Sequence, residues 1–341
     1  MDIIRPEYNQ ELDLKKPWFK RPMFFILIII AIATINNRFP FSKMFANVFD
    51  ITHQEKRIAD PNPAPKPEKD RLDVLILGIR GEDDIENGGL LTDTMLVLSI
   101  DKATKKAAMI SIPRDLYLDN FVANGPNGKQ IKLTGKLNEV YERGLIKKDG
   151  INFSKQVISK ITGIYIDNVV VFDFNAFNTI VEVLGGVDVH LDKPFIEAGQ
   201  WGYPFSLPAG DNHLNGDQAL YYARSRFSTN DFDRARRQQE IIVAIKNKAL
   251  ALGYASDPFK ATSLYSSLKG AIKTDFQIWD IKSLLFLASS MNQKLPVKDY
   301  FITTENLLRE TKTASGEYIL LPKEENFAGI KKFFANILLG V

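Results

Sequence analysis

The stretch Val74-Leu-Ile-Leu77 is a short, unbroken apolar run that stops at Gly78. Four such residues are too few for a helix. Bounded by a breaker, they read as a strand with both faces buried. Two further runs follow, Thr94–Ile100 and Ala107–Ile112, and the polar Asp101–Lys106 between them reads as a hairpin loop. Beyond these, the pattern changes period repeatedly. Ser154–Thr162 reads as a short helix, Val169–Phe172 as a strand, and Phe174–Leu184 as a helix stopped by Gly185-Gly186. Val187–Leu191 alternates like a half-buried strand, and Leu214–Ala223 is helical again. Strands and helices interleaved over short connections specify an α/β domain with a central mixed β-sheet. We place it at residues 72–255.

The regions on either side are of different character. Residues 1–21 are polar and end in Lys15, Lys16, Lys20 and Arg21; Met23–Ile35 is apolar on every face. The run is shorter than the usual span of about 20 residues, so a buried core helix or a signal-peptide core is an alternative reading. Trp18, Phe19 and Phe39 as interfacial anchors, with Arg21 and Arg38 able to snorkel, extend it to a transmembrane anchor over residues 22–41. The cationic excess before the run orients the N-terminus to the cytoplasm, leaving the later domain outside a cell membrane crossed once. Within the juxtamembrane segment 42–71, Pro61, Pro63, Pro65 and Pro67 make a stiff spacer. Residues 256–341 carry helical patterns near Trp279–Ser290 and Glu325–Leu338, expected to pack on the same domain as a C-terminal extension.

The densest charge lies between Tyr222 and Gln239. Arg224, Arg226, Arg234, Arg236 and Arg237 stand there against Asp231 and Asp233. Every cation is an arginine, whose planar fork suits phosphate or carboxylate. Ser228, Thr229, Asn230 and Asp231 are candidate N-caps for a helix reaching Leu252, and Arg234, Arg237 and Gln238 then share one face. A helix N-terminus beside arginines is an anion site; the plain alternative is a solvated helix start. Asp93, at the entrance of the second strand, is either a turn residue or a ligand for a hard cation such as Mg²⁺. Arg114, in Ser111-Ile-Pro-Arg-Asp115, sits where Pro113 ends the third strand; it faces a ligand or pairs with Asp115. Lys136 adds a cation in Gly135-Lys-Leu-Asn138, although alone it reads as plain surface. Phe172, Phe174, Phe177, Val181 and Leu184 either line an apolar groove or fill a core.

Several chemistries are excluded. The chain has no Cys, so it has no disulfide, thiolate metal site or Cys nucleophile. With three His it does not suggest a Ser-His-Asp hydrolase or a His-rich zinc site. It lacks a G-x-x-x-x-G-K-[ST] loop and G-x-G-x-x-G. A net charge of +3 over 341 residues gives no bulk argument for nucleic-acid binding.

In order along the chain, Leu75-Ile-Leu-Gly78, Asp93-Thr94, Ser111–Asp115, Lys136-Leu-Asn138, Gly185-Gly-Val-Asp188, Leu214–Leu220 and Ala223-Arg-Ser-Arg226 with Asp231–Gln239 resemble the LytR-CpsA-Psr family. The resemblance covers about Leu72 to Leu252. It implies an α/β/α sandwich outside the cytoplasmic membrane. Such an enzyme binds a polyprenyl-pyrophosphate-linked glycan and transfers the phospho-glycopolymer to peptidoglycan, releasing polyprenyl phosphate. By position, Arg114, Lys136, Arg224, Arg226, Arg234, Arg237 and Gln238 would hold the pyrophosphate. Asp93 would ligate Mg²⁺, or Mn²⁺ in its place, and Asp231 would orient an arginine or take the acceptor proton. The resemblance leaves two other expectations: a non-catalytic pyrophosphate binder acting as scaffold, and a lipid pyrophosphate hydrolase. Two positions depart from the family pattern. Arg80 stands where many members carry a metal-binding Asp, and Leu91 where many carry Arg. Arg80 would supply the lost cation, and Asp83 or Asp84 the lost carboxylate.

Overall fold

The computed structural model describes residues 63–340 except 83, 84, 86, 87, 126–129, 147, 228, 229, 255, 256, 269–271, 278–296 and 325. The run from Met23 and the helix expected near Trp279–Ser290 lie outside the described residues, as does Asp84.

Strand β1 (Arg71–Ile79) pairs antiparallel with β2 (Thr92–Asp101), which turns at Asp101–Lys106 into β3 (Ala107–Ser111). A hairpin of β4 (Tyr117–Asn124) and β5 (Gln130–Lys136) follows, then a 3-10 turn, α1 (Val140–Leu145) and α2 (Gly150–Thr162). The chain returns as β6 (Asn168–Phe172), parallel to β1. Next come α3 (Phe174–Val183), β7 (Val187–Leu191), the ladder of β8 (Phe195–Glu197) with β9 (Phe205–Leu207), and β10 (Gly210–Leu214), which pairs with β7. Helices α4 (Gly216–Arg224), α5 (Asp231–Ala251) and α6 (Pro258–Leu268) lead to β11 (Ile272–Thr274) and β12 (Lys298–Phe301). The hairpin of β13 (Leu308–Lys312) and β14 (Tyr318–Pro322) and then α7 (Ala328–Asn336) complete the described chain.

The central sheet runs β11-β6-β1-β2-β3-β12 and is mixed, as the interleaved pattern requires. Side-chain parity divides its faces. Leu75, Leu77, Val97 and Ile110 face one way, into a core filled by Phe153, Val157 and Ile161 of α2 and Phe334 of α7. Residues of the other parity meet α5: fully buried Gln239 donates from Nε2 to Ser111 Oγ at 2.7 Å and to the Tyr300 carbonyl at 3.1 Å. Helices therefore cover both faces. A second apolar cluster, including Val181, Val187, Leu220 and Ile241, ties α3, α4 and α5 to the β7–β10 ladder.

The hairpin of β4 and β5 had no signal in the sequence. Its register slips between Leu118 and Phe121, and Asn120 has φ 47°, so the alternation that marks a strand is broken at that point. The segment after residue 256 provides both sheet edges, since β11 lies beside β6 and β12 beside β3.

Candidate active site: an arginine-rimmed cavity

Strands β1 and β6 are parallel, and their carboxyl ends open on one cavity of about 280 Å³. Ligands in open α/β sheets collect at such ends. Gly78 lies in its wall: a Cβ there would stand 2.9 Å from Thr94 Cβ and 3.2 Å from the Phe172 ring, so only glycine fits. Phe172, Phe174, Phe177, Leu220 and Ile242 make the cavity apolar inside. Arg80, Arg224, Arg226, Arg234, Gln238 and Asp93 also line it.

Of the apolar residues read as groove or core, Phe172, Phe174 and Phe177 are groove. Val181 is fully buried and Leu184 nearly so, and both belong to the core. Each arginine is set by local structure. Arg224 ends α4, with its guanidinium 3.8 Å from the Phe174 ring centroid and 5.0 Å from that of Trp201. Burial and the neighbouring Arg80 cation pull its pKa down to about 10. The loop of Gln200 and Trp201 holds the following turn. Gln200 Oε1 accepts from Arg226 N at 2.6 Å, and its Nε2 donates to the Arg224 carbonyl at 3.1 Å. Trp201 Nε1 donates to Ser225 Oγ at 3.2 Å. Sequence reading passed over both residues, although a Trp in a loop between Gly199 and Gly202 is a signal that could have found them.

Helix α5 starts at Asp231 because the Asn230 side chain accepts from Asp233 N at 2.9 Å. Arg234 is buried, pairs with Asp231 at 2.7 Å, and reaches the Asp93 carbonyl at 3.4 Å. Burial lowers its pKa, and Arg114 adds repulsion. Arg114 donates to the Asp93 carboxylate. Burial works against its charge, but Asp93, Asp231 and Asp115 together overcome it and raise its pKa. A narrow slot lined by Arg114, Asp231, Arg234 and Gln238 adjoins the cavity, sharing Asp93, Arg234 and Gln238 with it.

Two expected site residues line neither the cavity nor the slot. Arg237 is buried, donating to the carbonyls of Tyr222 (2.8 Å) and Ser225, with its guanidinium 5.0 Å from the Phe195 ring centroid. Sharing a face with Arg234 did not give it the same surroundings, because the turn between α4 and α5 folds back over it. It fastens that turn. Lys136 is taken by Asp115 and Glu317, each at 2.9 Å.

For Mg²⁺ the cavity offers Asp93; among the described residues no group of three His, Cys, Asp or Glu is placed to hold a metal ion. One carboxylate among arginines fits Mg²⁺ where a bound anion and water can complete the ion's shell.

Residues 42–333 match the sequence profile of the LytR_cpsA_psr family. The chain belongs to this family. Among its curated relatives are the polyisoprenyl-teichoic acid–peptidoglycan teichoic acid transferases TagU of Enterococcus faecalis and of Oceanobacillus iheyensis. The first is 26% identical over 269 residues (77% of this chain, 80% of the relative) and the second 28% over 272 residues (76% and 78%). Of solved structures, Bacillus subtilis TagV superposes with a TM-score of 0.61 at 25% identity, covering 80% of this chain and 98% of TagV. A structure of TagT bound to LIIa-WTA superposes with a TM-score of 0.57 at 23% identity, over 83% of this chain and 96% of that one, and shares the fold. This LytR_cpsA_psr chain thus has the mixed-sheet α/β fold of those structures.

Proposed function

We propose that this protein is a phosphotransferase that moves a polyprenyl-pyrophosphate-linked glycopolymer onto peptidoglycan and releases polyprenyl phosphate. The observation that carries this reading is the cavity itself, apolar within and rimmed by Arg80, Arg224, Arg226 and Arg234. A lipid pyrophosphate has the matching form, a greasy chain ending in a small, doubly charged head. The relatives' names point to the same reaction class.

The prenyl chain lies along Phe172, Phe177 and Ile242, and the pyrophosphate meets the arginines. An acceptor hydroxyl attacks the phosphorus that carries the glycan. A new P–O bond to the acceptor forms and the bridging P–O bond breaks, so polyprenyl phosphate leaves with the bonding electrons. Asp231, in the slot beside Arg234, takes the hydroxyl proton. Arg224 and Arg234, held by packing before the substrate arrives, stabilise the charge that grows on the leaving phosphate. Mg²⁺, or Mn²⁺, on Asp93 would add further neutralisation of the pyrophosphate when bound. The run Met23–Ile35 anchors the chain in the cytoplasmic membrane with its N-terminus inside, which keeps the cavity close to its lipid-borne donor.

The test uses the full-length protein in detergent with a polyprenyl-pyrophosphate glycan and peptidoglycan fragments, following phosphodiester formation. Transfer that falls by at least about 100-fold in Arg234→Ala fits the loss of a charge-assisted contact to the transition state. Turnover without an acceptor would mark a hydrolase instead. Binding with no turnover would mark a scaffold.

A further inference from the structure

On the far side of the slot lies a second, more open hollow of about 290 Å³. Helix α5 lines both spaces. Asp231, Arg234 and Gln238 fall at i, i+3 and i+7 and face the slot. Phe232 and Arg236, at i and i+4, face the neighbouring direction and line the hollow. Phe232 and Phe301 line both slot and hollow, so the two spaces adjoin.

The hollow differs in chemistry from the cavity. Phe232, Phe301 and Phe333 present partly exposed rings, and Asp299 and Glu305 stand among them as exposed carboxylates. Its arginine, Arg236, pairs with Asp233 at 3.2 Å and lies over the Phe301 ring at 5.7 Å. Carboxylates accept hydrogen bonds and cannot donate them. A pyrophosphate would meet repulsion here. A ligand with flat apolar faces and many O–H and N–H donors, and without negative charge, is complementary to it. Pyranose rings bearing hydroxyl and acetamido groups have that form, and the hollow is open enough to admit an extended strand.

We propose that this hollow is the acceptor subsite, holding the sugar backbone of a neutral, N-acetylated glycan strand so that one hydroxyl enters the slot past Phe232 toward Asp231. The assignment of the glycan as acceptor rests on the transfer reading above; binding itself does not. It also gives the C-terminal segment a function, because β12, the turn after it and α7 supply most of the wall.

A soluble oligomer of N-acetylglucosamine serves as probe, titrated by NMR against the full-length protein in detergent with no lipid donor. The expected result is saturable binding that weakens by at least about ten-fold in Glu305→Gln and in Phe232→Ala, and persists in Arg224→Ala. Glu305 is exposed, so its variant reports even if Phe232→Ala folds poorly. No binding by the wild type would overturn the proposal, as would equal binding by both hollow variants or loss in Arg224→Ala. Capture of a stem peptide but not of the sugar oligomer would overturn it as well. Because no donor or turnover enters the assay, failure of the transfer reaction is scored separately.

Discussion

Arg224 is held where its charge is costly, and removing it separates binding from stability. Its pKa stands near 10 against an ordinary 12.5, first through burial and then through Arg80. A drop of that size is at most roughly 3 kcal/mol against the cation relative to water, and about 2 kcal/mol once solvent screening of a partly exposed group is allowed for. Its stacking between Phe174 and Trp201 returns about 1–2 kcal/mol. In the free protein the charge therefore destabilises the fold by a net of up to about 1 kcal/mol, the difference between those terms. An arriving pyrophosphate relieves this cost, so Arg224→Met, which keeps the bulk between the rings, is expected to be more stable than wild type by about 1 kcal/mol in urea denaturation, with the m-value unchanged. The same variant is expected to bind the lipid pyrophosphate about 100-fold more weakly. At one donor concentration the midpoint of the wild type then rises more than that of the variant. A variant less stable than wild type by more than about 1 kcal/mol, or one that keeps its donor affinity, would refute the reasoning.

Other perturbations test separate parts of the structure. Gly78→Ala forces a Cβ to 2.9 Å from the Thr94 side chain and 3.2 Å from the Phe172 ring; a loss of about 1–3 kcal/mol in thermal or chemical unfolding is expected, with a narrowed cavity. Asp73 is buried beside Arg71, which pairs with it at 2.7 Å, yet burial outweighs that partner and raises its pKa from 3.8 to about 6. Between pH 4 and 6 the folded state keeps a proton that the unfolded chain has released. This group's contribution is therefore full below about pH 4, is lost as pH rises through about 6, and amounts to roughly 3 kcal/mol in total. Asp73→Asn should remove that slope from denaturation midpoints measured between pH 4 and 7.5, and parallel wild-type and variant profiles would contradict it. Asp93→Ala should abolish any response of donor affinity to added Mg²⁺ in a binding titration and free Arg114 from its partner. Arg237→Ala leaves the Tyr222 and Ser225 carbonyls without their buried donor and should cost about 2–4 kcal/mol by urea denaturation.

What could be read in advance follows from which interactions are local. The strands β1, β2 and β3 were legible because both their faces are buried, which leaves an apolar run that no helix would need. Helix α5 was legible from its cap, and Arg224, Arg226 and Arg234 from their density around it. Other features depend on pieces of chain that meet only in the folded state. Arg237 and Arg234 are three residues apart with the same side chain, but one is covered by the turn after α4 and the other opens on the cavity. Gln200 and Trp201 acquire their role through bonds to Arg224, Ser225 and Arg226 across the sheet-like ladder that brings them back. Gln239 looks like any polar helix residue, yet it is fully buried and joins α5 to β3 and β12. That joint helps to hold α5 against the sheet, with one helix face on the slot and the neighbouring direction on the hollow. The arginines advertise the anion site in the sequence, whereas the joint made by Gln239, an uncharged side chain, is seen only in the fold.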